Sequence, residues 1–150
     1  MILGVTGTRF GMTHAQRLLV TFYIEKITEE LYELHHGLCK GVDIQVRDIV
    51  REVCPSVNVF ARPGPDGDGW RGDALAIETV LPGKGHFSRN RDIVDVCNLL
   101  LVIPKDNAWQ RFGGTWYTHD YAVKKSKPVV VVWPDGVLEH RSDLGKTTVR

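Results

Sequence analysis

The glycines of this chain are not scattered. Of 15 glycines in 150 residues, thirteen fall in five clusters: Gly4, Gly7 and Gly11; Gly37 and Gly41; Gly64, Gly67, Gly69 and Gly72; Gly83 and Gly85; Gly113 and Gly114. The helices predicted between the clusters contain none. Three clusters directly follow a short apolar run and precede a helical pattern. Ile2–Thr6, Leu99–Ile103 and Val129–Trp133 are strand-sized and rich in branched residues, as expected of strands buried on both faces of a parallel sheet. Leu34–His36 and Val57–Ala61 read as further strands. Between them, Thr13 and Gln16 fit a capping box. Leu19, Val20, Tyr23, Ile27, Leu31 and Leu34 then follow at helical spacing. A second helix is predicted over Val42–Val53 and ended by Pro55. A third runs over Arg89–Cys97 with Ser88 as its cap, and a fourth over Thr115–Lys125.

Strands alternating with helices predict an α/β fold, a Rossmann-like three-layer sandwich with a mostly parallel central sheet. A single domain is expected over residues 1–136. Within it, residues 62–73 read as a long flexible loop, being dominated by Gly, Pro and Asp. Residues 137–150 read as a polar C-terminal tail. In such a sheet, glycines between strand and helix lie on the carboxyl edge, where ligands bind. Glycine there lets backbone approach a phosphate, and the next helix offers free N–H groups with the positive end of its dipole.

Composition narrows the ligand. Nineteen Lys and Arg against eighteen Asp and Glu give a net charge of +1. That balance argues against a protein built for non-specific binding along a phosphate backbone, so no nucleic-acid partner is expected. Cys39, Cys54 and Cys97 form no CxxC pair, and no HxH or HxxxH pattern occurs, so neither a disulfide framework nor a metal site is expected. No cofactor is indicated. The N-terminus lacks a basic region ahead of an apolar one, and no apolar run approaches a bilayer's thickness. No membrane contact is expected, and the expected compartment is the cytoplasm.

The loops carry specific chemistry. The first, from Gly4 to Thr13, matches neither GxGxxG nor the P-loop pattern. It offers Gly7 backbone, the Thr6, Thr8 and Thr13 hydroxyls and the Arg9 guanidinium to an anion. In the second, Gly37 and Gly41 precede Asp43, one turn into a helix, where it can accept ribose hydroxyls or complement the helix dipole. The third presents Gly113, Gly114, Thr115, Trp116 and Thr118 at a helix start. Trp109, Trp116 and Tyr117 can stack on a base or pack in the core. Cys39 lies beside Lys40, which could lower its pKa, but without a defined base partner it is not read as a nucleophile. His35 and His36 are adjacent on a strand, so they face opposite sides.

In this order, the early Gly-Thr-x-Arg loop, Gly37-x-x-x-Gly41-x-Asp43, Arg89-Asn90-x-x-Ile-Val94, the strand Leu99–Pro104 and Gly113-Gly-Thr115 resemble the SLOG superfamily. That group of Rossmann-like domains includes YspA-like and DprA-like proteins and the LOG phosphoribohydrolases. The resemblance spans about Gly4 to Trp133. It implies a doubly wound sheet, a nucleotide or nucleotide derivative at the strand carboxyl ends, and homodimers or higher homo-oligomers. Arg89 falls at the position of the catalytic arginine of LOG enzymes. Asn90 replaces the lysine beside it, and Thr118 stands where the LOG motif has its glutamate.

The primary expectation is therefore a protein that binds a nucleotide-like molecule as a sensor or a sequestering protein. Arg89 and Asn90 would join the first and third loops around the phosphate. The alternative is an N-glycosidase acting on nucleoside 5'-monophosphates, with Arg89, Glu78 and His36 as catalytic candidates and Glu78 or Asp120 supplying the missing carboxylate.

Overall fold

The computed structural model describes residues 1–65, 78–142 and 145–149. Most of the predicted loop at 62–73 lies outside the described residues. The described elements are β1 (Ile2–Gly7), α1 (His14–Lys26), β2 (Glu33–His36), α2 (Val42–Val53), β3 (Asn58–Ala61), β4 (Thr79–Val80), α3 (His86–Val96), β5 (Leu99–Ile103), α4 (Gly114–Lys124), β6 (Val129–Val132), β7 (Leu138–Ser142) and β8 (Gly145–Val149). They build one sheet in the order β4-β3-β2-β1-β5-β6-β7-β8. Pairing is parallel from β4 through β6, and antiparallel from β6 to β7 and from β7 to β8.

Alternation along the central strands divides the core into two layers. Leu101 and Ile103 of β5, with Val130 and Val132 of β6, pack under α1 and α2 with Val20, Ile24, Val46 and Val50. Leu100 and Val102, with Val129 and Val131, face α3 and α4 through Ile93, Val94, Trp116 and Ala122. The fold is thus the expected doubly wound sandwich. Chain order reverses between β1 and β5, and the ends of those two strands leave the crevice where such sheets bind ligands. Gly7 permits this closeness: a Cβ there would sit 2.5 Å from Val42 Cγ1 and 2.8 Å from the Ile103 carbonyl.

The structure corrects several boundaries. The α1 stripe ends earlier than predicted. Thr28 Oγ1 donates to the carbonyls of Ile24 and Glu25 at the end of the helix. Leu31 and Leu34 are buried in the following turn and in β2, so they mimic helical spacing without sharing the helix. Helix α3 starts at His86 behind Gly85, which puts Ser88 inside the helix rather than at its cap. The stretch expected as a polar tail instead extends the sheet, with Val132 pairing with Leu138 and Leu138 with Val149. Leu138 joins the core, and Glu139 and Arg141 of β7 find specific partners. Trp133 Nε1 donates to Glu139 Oε1 at 2.7 Å, and Arg141 Nε donates to Glu139 Oε2 at 3.2 Å.

The Thr13 capping box forms as predicted, and its glutamine also anchors the sheet. Gln16 Oε1 accepts from the Thr13 amide, while Nε2 donates to the carbonyls of Pro104 and Val132, each at 2.9 Å. The start of α1 is thereby tied to the ends of β5 and β6.

Candidate functional site

A cleft of about 480 Å³ opens at the β1/β5 crevice. One wall is the segment after β1, with Gly7, Thr8, Arg9 and Phe10. The opposite wall follows β5, with Lys105, Asp106, Gln110 and Phe112, and continues into the start of α4 through Gly113, Gly114, Thr115 and Trp116. Asp43 from α2 and His86, Phe87, Arg89 and Asn90 from α3 complete it, with Cys39 beside them.

Helix α4 has no side-chain cap, because its N-cap position is Gly113 at φ +110°. A Cβ on Gly113 would meet nothing within 4 Å, so conformation and not crowding selects glycine there. The first-turn amides and the dipole of α4 are left for a negative group at the cleft.

Arg89 is 4% exposed. Its Nε donates to Asn90 Oδ1 at 2.7 Å, and Nη1 to the carbonyls of Gly37 (2.6 Å) and Arg62 (3.0 Å). Nη2 lies 3.2 Å from His86 Nδ1 and 3.6 Å from Cys39 Sγ. These partners orient the guanidinium; among the described residues none of the hydrogen bonds to it comes from a carboxylate, and Asp43 lies within its field. Asp43 is also buried. Its Oδ2 accepts from the amides of Gly37 (2.8 Å) and Cys39 (3.3 Å). Burial pushes its carboxyl above the ordinary value, opposed by the Arg89 guanidinium and by the two amides. The Cys39 thiol is pushed up to about 11, by burial first and then by Asp43, against the opposing pull of Arg89 and Arg9. The lowering that Lys40 could bring does not prevail: desolvation outweighs nearby positive charge.

The mouth is aromatic. Phe10, Phe87 and Phe112 are 83%, 56% and 80% exposed. Lys105 Nζ lies 5.0 Å from the centre of the Phe10 ring, linking the two walls. Phe10, Phe112, Lys105 and His86 were not singled out from the sequence. The two phenylalanines were visible there as bulky apolar residues inside glycine loops, a signal of exposure that was readable.

The other candidates sit elsewhere. The Thr13 hydroxyl donates to the Pro134 carbonyl and caps α1, and that of Thr118 donates to Gly114 within α4. Gly37 and Gly41 support the site through backbone. Trp116 is packed between His119 and Trp133, with ring centres at 5.0 and 5.6 Å, and Tyr117 accepts from Arg91 and packs on Phe87. His36 and Glu78 are bonded to each other in the interior and do not line the cleft. His35 stacks on Phe60, accepts from Arg62 Nε and bonds Glu33. Asp120 holds Trp109 Nε1 and His119 Nδ1. Among the described residues no cluster of His, Cys, Asp and Glu could hold a metal ion, and no helix is long and apolar enough to cross a membrane.

Fold and crevice together define the class by architecture: this is a doubly wound, Rossmann-like α/β domain. Three solved structures show the likeness. DNA processing protein A (DprA) from Streptococcus pneumoniae matches with a TM-score of 0.64 and 21% identity over 86% of this chain and 49% of that one. The molybdenum cofactor carrier protein from Chlamydomonas reinhardtii matches at 0.61 and 17%, over 87% and 75%. TM1055, a structural-genomics target, matches at 0.58 and 16%, over 85% and 71%. The chain therefore spans about half of the pneumococcal protein. No family model matches the sequence, and no curated protein matches it significantly.

Proposed function

We propose that this protein binds a nucleotide or nucleotide-derived molecule in the β1/β5 cleft and holds it unconverted, as a sensor or sequestering protein. The observation that carries the reading is the buried Arg89 guanidinium, oriented by neutral acceptors, in the same cleft as the uncapped start of α4. A phosphate placed between them exchanges for one of the two Nη2 contacts, the longest that Arg89 makes, to gain a charge-assisted hydrogen bond, and it gains backbone amides from the helix. Asp43 is the acceptor for sugar hydroxyls. Stacking on the base falls to Phe10 and Phe112, since the Trp116 ring is engaged in the core. Likeness of fold to a cofactor carrier is consistent with a holding role. The reading includes a homodimer or higher homo-oligomer, as the family resemblance implies.

Hydrolysis draws less support. The carboxylates proposed for it, Glu78 and Asp120, line no part of the cleft. A thermal-shift screen against nucleoside 5'-monophosphates, cyclic nucleotides and ADP-ribose tests the proposal. A ligand at a hundred times its Kd adds about 2.7 kcal/mol to stability, so a clear rise in Tm is expected. The same mixtures are analysed for free base. No shift with any member refutes the binding reading, and released base replaces it with the N-glycosidase reading.

A further inference from the structure

We propose that the buried Glu78–His36 pair positions the anion site by fixing the 37–39 turn, whose backbone holds both Arg89 and Asp43. The inference rests on the reading of the cleft as an anion site. His36 ends β2 and is fully buried. Its Nδ1 accepts the Leu38 amide at 2.9 Å. The ring proton is therefore on Nε2, which donates to Glu78 Oε1. Glu78 Oε2 faces Arg47 Nη1 at 3.5 Å, and Arg47 lies one turn beyond Asp43 on α2. The carboxylate thus selects the tautomer that leaves Nδ1 as an acceptor.

That acceptor has a definite task. Leu38 is buried at φ +53°, a left-handed conformation that costs a side-chain-bearing residue about 1 kcal/mol or more. The bond from its amide to the His36 ring holds it there. With the turn so set, the Gly37 carbonyl meets Arg89 Nη1, and the Gly37 and Cys39 amides converge on Asp43 Oδ2. A Cβ at Gly37 would lie 2.7 Å from Arg89 Nη1 and 3.0 Å from Asp43 Oδ2, so small shifts of the turn move both groups. An apolar pair could fill the same interior space, but it would leave the Leu38 amide without an acceptor. His36 and Glu78 are positioning residues: they act on the cleft through the turn.

Two substitutions separate positioning from packing. His36→Asn keeps an acceptor near the Nδ1 position and gives up the reach to Glu78. His36→Gln keeps a donor near Nε2 and gives up the acceptor. The readouts are the Arg89 Nη1–H resonances in 15N–1H spectra, since Nη1 is the atom that bonds the Gly37 carbonyl, and the affinity for inorganic phosphate. His36→Asn is expected to preserve both. His36→Gln is expected to move the resonances to those of a free guanidinium and to weaken phosphate about tenfold, the loss of roughly one hydrogen bond to a charged group. Equal effects of the two variants on both readouts overturn the proposal. The ring 15N shifts of unaltered protein decide it without any variant: Nε2 protonated and Nδ1 bare supports it, and the reverse tautomer refutes it. If unaltered protein fails to bind phosphate, the binding reading falls while the tautomer and the Arg89 resonances still test the positioning role.

Discussion

Replacing Gln16 by Met tests how the ligand-facing edge is held. The change keeps an unbranched side chain of similar length and removes its amide. Gln16 is fully buried and makes three bonds: it accepts from the Thr13 amide and donates to the carbonyls of Pro104 and Val132. Thr13 lies at the surface, so water can replace its partner cheaply. The two carbonyl bonds are buried, and losing a buried partner costs about 1–3 kcal/mol per group. The expected loss is about 3 kcal/mol, a large share of the ~5–15 kcal/mol that holds a typical domain folded. For a domain of this size that lowers Tm by roughly 6–12 °C. With a urea m value of about 2 kcal/mol/M, the midpoint falls by about 1.5 M. Urea unfolding followed by circular dichroism reads this directly. A loss below about 1 kcal/mol would refute the claim that Gln16 ties α1 to the ends of β5 and β6.

Other consequences follow from the same geometry. Gly7→Ala forces a methyl group against Val42 and the Ile103 carbonyl; overpacking of this kind costs about 1–3 kcal/mol, and an unchanged Tm would contradict the close approach of β1 and α2. Burial raises the Asp43 carboxyl above its ordinary 3.8, so its contribution to stability is present below that value and lost as pH rises through the raised one. Asp43→Asn is therefore expected to be more stable than the unaltered protein at pH 7, with the advantage gone below pH 3.8, as read by thermal unfolding across pH; an advantage independent of pH would contradict this. Cys39, with its thiol at about 11, is expected to alkylate with iodoacetamide at pH 7.5 far more slowly than a free thiol, and mass spectrometry of the labelled peptide would expose the error if it reacts faster.

Much of the architecture is readable from local pattern. The apolar runs of β1, β5 and β6 are continuous because both sheet faces are covered, and Val42–Val53 declares itself by periodicity and Pro55. What the sequence hides is non-local. Leu31 and Leu34 extend the α1 period by coincidence, since a turn and a strand also bury them. Strand β7, Leu-Glu-His-Arg-Ser, carries too little apolar alternation to stand out, because Glu139 and Arg141 are satisfied by partners and not by exposure. The cleft loops were legible as glycine clusters. The glycines themselves proved mixed, with Gly7 serving close packing and Gly113 leaving a helix end uncapped. His36 and Glu78 attract notice as chemical residues, yet 42 positions separate them, and only the fold reveals that they serve each other.

The central claim is that Arg89 and the start of α4 recognise the phosphate of a nucleotide-like ligand. Calorimetric titration of the unaltered protein and of Arg89→Gln with AMP, GMP, CMP and UMP, each beside its parent nucleoside, tests it most directly. The account predicts that at least one monophosphate binds the unaltered protein about tenfold or more tightly than its nucleoside, a difference of about 1.4 kcal/mol, and that Arg89→Gln erases this preference. Equal affinity for nucleoside and monophosphate, or a preference that survives Arg89→Gln, would contradict it.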